Sequence, residues 1–489
     1  MGTSIAYFLS SYLKSLKSSC SSSTYSIILF EQERNIASHT SARNTGKVHA
    51  PFLYDPVKKR LFAKAAFLGF DMLKDYCKTK SLPFKEDGVL EVATYDKAID
   101  ELHKYVEWGY SNGLKKDELK FLEKDDVARI EPNVKCLSAI YCSKDGSVDY
   151  GAISRKLVQD AEAFGCKICT GRRVSRIEQK VSRIILYTDS ISVNNNYKNR
   201  SYTAPTKEQI SVSYLINVAG GNAVDVAHQM GVANEYTDLH FRGEYWQAPP
   251  EYADLTKISI YSVPKYPEYP FLDPHWIVRV DGKREVGPNA VPVFSPYAYS
   301  LSTNLRYFIP KIFESSRSGV FKILKDRQFL ALASNELKSS LSKTAMINRA
   351  RDFLPALVPS KFNQRGTSGI RSSLIDKYGK FLSDTLILKD NHSLHVLNYN
   401  SPGATGALPM AAMIVSGLID DGVVVTPTTA ATANDKSTFM YDKEKMIWDP
   451  LRIAEQMKSE DRYSLIDRTV TIVKILDDDF YVDALVSNL

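Results

Sequence analysis

No apolar run in this 489-residue chain reaches the roughly 20 residues that a bilayer-spanning helix needs. The first turns, Ile5 to Leu16, are interrupted by Ser and Lys and run into a Ser-rich stretch, which does not make a secretory signal peptide. The chain is therefore expected in the cytoplasm, with peripheral contact to a membrane left open. A basic arm is missing too. The formal net charge of +7 is spread over 63 Lys and Arg and 56 Asp and Glu, which argues against nucleic acid and suits a small anionic molecule. Six cysteines are few for a secreted disulfide scaffold. Cys166-Lys-Ile-Cys169 has metal-ligand spacing but no second pair or histidine cluster beside it, so no metal is expected. There is no internal repeat.

The start of the chain lacks something more specific. Ile5, Phe8, Leu9, Tyr12, Leu13 and Leu16 recur at helical spacing, so an amphipathic helix begins almost at Met1. In a dinucleotide-binding βαβ unit an apolar strand and the turn G-x-G-x-x-G precede such a helix. Here Gly2 stands alone where the last of those glycines would be. The reading is either a start upstream of Met1 or a Rossmann unit without its first strand, whose sheet neighbours would be left with unpaired edges.

What is there reads as two interleaved domains, since 489 residues exceed one simple core. Lys17 to Thr24 is a loop, and Tyr25 to Phe30 a buried strand closing on Glu31. A carboxylate at that place usually holds a ribose diol. Leu61 to Thr79 is helical; Phe84 to Ala93 alternates around Asp87-Gly88 as a hairpin; Ser154 to Phe164 is helical. Strands follow through Cys169, Val174 to Ile177 and Arg183 to Tyr187, then a polar insertion, Asn194 to Gln209, reads as a surface loop. Ser213 to Ala219 is a short buried strand ending in Gly220-Gly221-Asn222, a second place where backbone meets a nucleotide. Tyr236 to Val293 has the aromatic alternation of a substrate-domain sheet, Phe294 to Leu357 is helical and Phe381 to Val396 returns to strands. Ser401 to Ala407 is a Gly-rich turn opening an apolar helix, and the residues after Val425 read as an appendage.

The chemistry concentrates in Ser38 to Pro51, SHTSARNTGKVHAP. Its small residues let backbone approach a flat ring, and His49 can exchange a proton there. His275, in Asp273-Pro274-His275-Trp276, lies on an aromatic strand that would face the same cavity, while His39 reads as a turn residue. Arg371, in Gly369-Ile370-Arg371, can grip a carboxylate at two points. Arg242 and Tyr245 are further cavity candidates for substrate. Each has an ordinary alternative: a satisfied structural histidine for His49 or His275, a surface ion pair for Arg371.

Four stretches together resemble the FAD-dependent oxidoreductases of the D-amino-acid oxidase superfamily, most closely the L-2-hydroxyglutarate oxidase/dehydrogenase branch: SHTSARNTGKVHAP, DGSVDYGAI from Asp145, FRGEY from Phe241 with YPFLDPHWIVRVDGKREVGPNAV from Tyr269, and SPGATGAL from Ser401. The resemblance implies an α/β (α+β) fold: a discontinuous Rossmann-like FAD-binding domain (1–55, 145–222, 360–425), an antiparallel-sheet substrate domain (56–144, 223–359) and a C-terminal extension (426–489). It implies FAD as cofactor, with Gly2 at the end of the pyrophosphate turn and Glu31 on the ribose. Arg43, Asn44 and Thr45 would lie along pyrophosphate and flavin, Val174 against the adenine, and Ala219, Gly220 and Gly221 would line the cofactor. Gly369, Arg371, Gly403, Ala404 and Thr405 would close over the ring, with the Ser401 to Thr405 helix start offsetting charge on reduced flavin. A 2-hydroxy acid would pair with Arg371 and lose its hydroxyl proton to His49 first, His275 second. The electron acceptor, whether oxygen, a quinone or a protein, is not identified. The alternatives are another oxidase or dehydrogenase of the superfamily, acting on an amino acid, an N-methyl amino acid or glycerol 3-phosphate, and a non-catalytic, N-terminally truncated remnant, which the missing strand suggests.

Overall fold

Short apolar runs buried on both faces belong in the middle of a parallel sheet. Ile28–Glu31, Leu215–Val218 and Ser393–Leu397 are such runs, and a computed structural model of the chain places all three in one six-stranded sheet. It describes residues 1–17, 26–190, 207–265, 273–299, 319–323, 325–400, 403–424, 448–457 and 484–487. The strand order across the sheet is Leu386–Lys389, Ser393–Leu397, Leu215–Val218, Ala484–Ser487, Ile28–Glu31, Lys167–Thr170. All neighbours are parallel except the first pair.

The first helix, Gly2–Lys17, lies against this sheet between the helices Tyr150–Ala163 and Ala407–Asp420. Its Ile5, Phe8 and Leu9 share a core with Leu29, Ile153, Leu157, Ile414 and Val415. Burial extends round its serines, because Ser10 and Ser11 donate their hydroxyls to Ala6 O at 2.6 Å and Phe8 O at 3.0 Å within the helix.

As expected, the chain opens on the helix Gly2–Lys17 and not on a strand; the expectation that the sheet's neighbours have unpaired edges is corrected by Ala484–Ser487. Ala484–Ser487 fills the place between Ile28–Glu31 and Leu215–Val218, pairing in register from Ile28↔Ala484 to Glu31↔Ser487 on one side and from Leu215↔Ala484 to Val218↔Ser487 on the other. The appendage reading is corrected likewise. Trp448 stacks on Phe8 with centroids 6.2 Å apart, and Pro450–Met457 packs on Ala407–Asp420. These apolar residues are separated by polar sequence, so their shared burial has no local periodic signature.

The second layer is an eight-stranded, mostly antiparallel sheet: Gln364–Arg365, Trp246–Gln247, Arg284–Gly287, His275–Val278, Ser259–Ser262, Val89–Ala93, Ser138–Cys142, Leu119–Glu123. A three-stranded sheet sets Thr237–Gly243 between Val291–Val293 and Gly369–Ile375. The chain returns to the six-stranded sheet at Leu386. A small sheet of Lys47–Val48, Gly146–Val148 and Phe84–Lys85 bridges the layers.

Three local expectations are also revised. Phe84 to Ala93 is no hairpin: its halves pair with Gly146–Val148 and with Ser138–Cys142, in different sheets. Lys207 to Gln209 belong to a strand, Lys207–Val212, while 191–206 lie outside the described residues. The helix expected from Ser154 starts at Tyr150, because the Asp149 carboxylate accepts the Ala152 N–H at 2.9 Å. The rest of the loop expected at 17–24, the residues 269–272 and the pair Ser401-Pro402 lie outside the described residues. Among the described residues no helix is long and apolar enough to cross a membrane.

Candidate active site

His49 follows the two-residue strand Lys47–Val48, which pairs antiparallel with Gly146–Val148 through Val48↔Gly146. One step further along that register faces His49 with Asp145. Its backbone N–H donates to Thr405 Oγ1 at 3.1 Å, and Thr405 in turn meets the Tyr150 hydroxyl at 3.0 Å. The ring's Nδ1 is buried without a hydrogen-bond partner. Burial, then the nearby His275 and Lys47, push His49 down to about 3, so the imidazole is neutral and able to accept a proton at physiological pH.

His275 opens the strand His275–Val278, where Ile260↔Trp276 pairing sets it across from Tyr261. The Tyr261 ring lies 4.3 Å from the His275 ring and 5.9 Å from the His49 ring, centroid to centroid. Burial lowers His275 to about 4, against the pull of Asp273. Its Nδ1 and the Tyr261 hydroxyl are likewise buried without partners. Two neutral histidines and a phenol thus lie together in the interior, each with an unsatisfied polar atom.

Arg371 is opposite Phe241 in the three-stranded sheet. Burial lowers its guanidinium to about 10, with Tyr245 and Glu336 opposing the shift, and its Nη2 is a buried donor without a partner. Arg242 is committed at both terminal nitrogens, Nη2 lying 3.0 Å from Glu244 and Nη1 donating to Ala298 O at 2.9 Å, which leaves its Nε as a buried donor without a partner. Arg371 is the better-placed cation for an anion.

The turn 38–46 is clamped to the same sheet. A Cβ on Gly369 would lie 1.8 Å from Arg43 O, so this backbone contact admits only glycine. Arg43 sits over the Tyr299 ring at 4.6 Å, and the Asn44 amide is occupied by the turn itself, donating to Thr40 O and Ser41 O and accepting from Gly46 N–H. Thr45 Oγ1 is 3.4 Å from Lys47 N. His39 bonds Glu33 at 2.9 Å and the Tyr299 hydroxyl at 3.2 Å, the role of a turn residue. Glu31 is buried at the end of its strand and accepts the Glu33 N–H at 2.8 Å. Beside it opens a cavity lined by Phe30, Gln32, Arg173, Val174, Asn222 and Asp225. Ala219 is buried at the end of Leu215–Val218, Gly220 has φ of 56°, and Gly221 packs on Pro296. Gly403 and Ala404 lie in the turn before the helix Ala407–Asp420, and Gly2 is the first residue of the first helix.

Comparison with known proteins decides what this arrangement is. Residues 1–416 match the DAO family, FAD dependent oxidoreductase. The chain belongs to the family of FAD-dependent oxidoreductases. It is 30% identical over 402 residues to an L-2-hydroxyglutarate dehydrogenase, mitochondrial, of Caenorhabditis briggsae, covering 80% of this chain and 87% of that one. It is 29% identical over 392 residues to an L-2-hydroxyglutarate dehydrogenase of Indibacter alkaliphilus, covering 79% and 91%. Among solved structures, an FAD-bound L-alpha-glycerophosphate oxidase of Mycoplasma pneumoniae superposes with a TM-score of 0.59 at 19% identity over 84% of this chain and 89% of that one. A glycine oxidase of Geobacillus kaustophilus does so at 0.58 and 12%, over 86% and 91%. The fold is that of the FAD-binding oxidoreductases, and FAD is the cofactor.

The residues present fit that group. An FAD-dependent oxidoreductase needs polar atoms that the protein itself leaves unsatisfied, and His275 Nδ1, Tyr261 Oη and Arg371 Nη2 are such atoms. It also needs a cavity at the carboxyl ends of the parallel strands, which the Val174 cavity supplies. Sequence reasoning missed Lys47, Tyr261 and the role of Asp145. The one available signal was a lysine between Gly46 and Val48, where a strand residue would be buried.

Proposed function

We propose that this FAD-dependent oxidoreductase oxidises a small 2-hydroxy acid, L-2-hydroxyglutarate in the first instance, to the 2-oxo acid. The observation that carries the reading is the pair of neutral, buried histidines, His49 and His275, beside the Tyr261 ring, together with a buried Arg371 whose Nη2 has no partner. Bound FAD supplies the hydride acceptor. The protein supplies the rest. Arg371 holds the substrate carboxylate at two points and so fixes the orientation of the Cα–H. His49, anchored through its backbone to Thr405, takes the hydroxyl proton, and an anionic substrate beside it raises its proton affinity at the moment of need. His275 stands second. The L-2-hydroxyglutarate dehydrogenases among its relatives support the choice of substrate. Turnover is completed by an electron acceptor.

The test is anaerobic mixing of the flavin-loaded protein with L-2-hydroxyglutarate. Bleaching of the flavin supports the reading. Bleaching only by glycine, an N-methyl amino acid or glycerol 3-phosphate moves the enzyme to another substrate class, and bleaching by none of them favours a non-catalytic binding role.

A further inference from the structure

The motif Asp145-Gly-Ser-Val-Asp-Tyr has a buried acid that substrate binding does not use. We propose that Asp145 is the positioning residue of His49, holding Nδ1 toward its carboxylate so that Nε2 is free to take the substrate's hydroxyl proton. The proposal rests on the reading of His49 given above. Pairing of Lys47–Val48 with Gly146–Val148 brings the two together, and Asp145 Oδ2 is 4.0 Å from His49 Nδ1, longer than a hydrogen bond but close enough for the carboxylate to orient the N–H dipole of a neutral ring. That same oxygen accepts the Ala50 N–H at 3.3 Å, which fixes the carboxylate beside the ring. Lys47 Nζ lies 3.4 Å from Asp145 and 3.1 Å from Asp87, and Ser147 Oγ joins Lys47 at 2.9 Å to Asp87 at 2.8 Å.

The charges decide the role. Once Asp145 is ionised, Lys47 is one cation and Asp87 and Asp145 are two anions, so the cluster then carries one surplus negative charge, buried, next to a neutral imidazole. When the substrate is oxidised, its Cα–H leaves with the electron pair, its C–O bond becomes C=O and the hydroxyl proton forms a new N–H bond at His49 Nε2. The imidazolium then neutralises the surplus, a compensation fixed before the reaction begins. The other groups facing Asp145 are Glu91, Tyr261, Tyr150 and Cys142, and burial raises all four. They stay neutral near pH 7, leaving Lys47 as the counter-ion. Burial pushes Asp145 itself up to about 7 while Lys47 pulls it down, so its charge is gained as pH rises through neutrality.

Two measurements test this. Anaerobic flavin reduction by L-2-hydroxyglutarate, followed from about pH 5 to about pH 9, is expected to accelerate through neutrality in the wild type; in Asp145→Asn it is expected to be roughly 10- to 100-fold slower at the high-pH end and flat, with KM unchanged. A wild type that is never reduced sinks the substrate reading and not this one. In the flavin-loaded wild type, 15N spectra of the histidines, with His49→Gln to identify the signal, are expected to show the Nδ1–H tautomer at His49, whatever the substrate and even if Asp145→Asn does not fold. An Nε2–H tautomer, a variant with the wild-type pH profile, or a loss confined to KM overturns the proposal.

Discussion

Removing residues 484–489 takes a strand from the middle of the nucleotide-binding sheet, and the structure sets the size of the effect. Ala484–Ser487 is paired along its whole length on both sides, so about eight backbone hydrogen bonds disappear at about 1 kcal/mol apiece. The four residues released regain roughly 1–2 kcal/mol each in backbone freedom, which offsets about half of that or more. A net loss of up to roughly 4 kcal/mol follows, a sizeable part of the stability of an ordinary domain at its upper end. Val486→Pro should act in the same direction with the chain length kept, because proline removes a ladder donor and does not fit a central strand. The assay is hydrogen exchange with melting temperature and flavin absorbance per protein beside it. Amides of Ile28–Glu31 and Leu215–Val218 should exchange much faster in both variants, and flavin should be retained poorly if it occupies the cavity beside Phe30 and Gln32, at the end of Ile28–Glu31. Unchanged protection in those two strands, with unchanged melting temperature, would refute the pairing.

His49→Ala should keep its FAD yet slow flavin reduction by roughly two to four orders of magnitude, the range for losing a general base; unchanged reduction kinetics promote His275. Arg371→Lys should chiefly raise KM, since an ammonium does not reproduce the planar two-point contact, and an equal loss with uncharged alcohols would assign Arg371 to the flavin instead. Glu91 is fully buried and raised to about 8 by burial, then by Asp145 and Asp273. The folded state therefore holds a proton that the unfolded state has lost above about 4.5, and stability falls as pH rises from there to about 8. Glu91→Gln should raise the melting temperature at pH 8 and change it little at pH 4; a gain of the same size at both pH values contradicts this.

Much of the fold was legible because burial leaves a local trace. Ile28 to Glu31 and Leu215 to Val218 are apolar enough to be central strands wherever they pair, and Phe62, Phe70 and Leu73 mark a helix by spacing alone. The candidate histidines and Arg371 were legible too, as polar side chains in stretches otherwise built to be buried. Pairing left no such trace. Phe84 to Ala93 has the alternation and the Asp-Gly of a hairpin, yet Gly146–Val148 and Ser138–Cys142 compete successfully for its two halves. A strand's sequence sets which face is apolar, while its neighbours are chosen by the packing of the whole core. The same holds at the site. Asp145 and His49 are far apart along the chain and meet only because Val48 pairs with Gly146, and the neutrality of His49 and His275 comes from desolvation, a property of the closed cleft. The amino-acid sequence alone determined which segments are buried; tertiary structure decided that Ala484–Ser487 stands beside Ile28–Glu31 and that an acid, a lysine and two histidines are neighbours, because those contacts depend on which distant segments share the core.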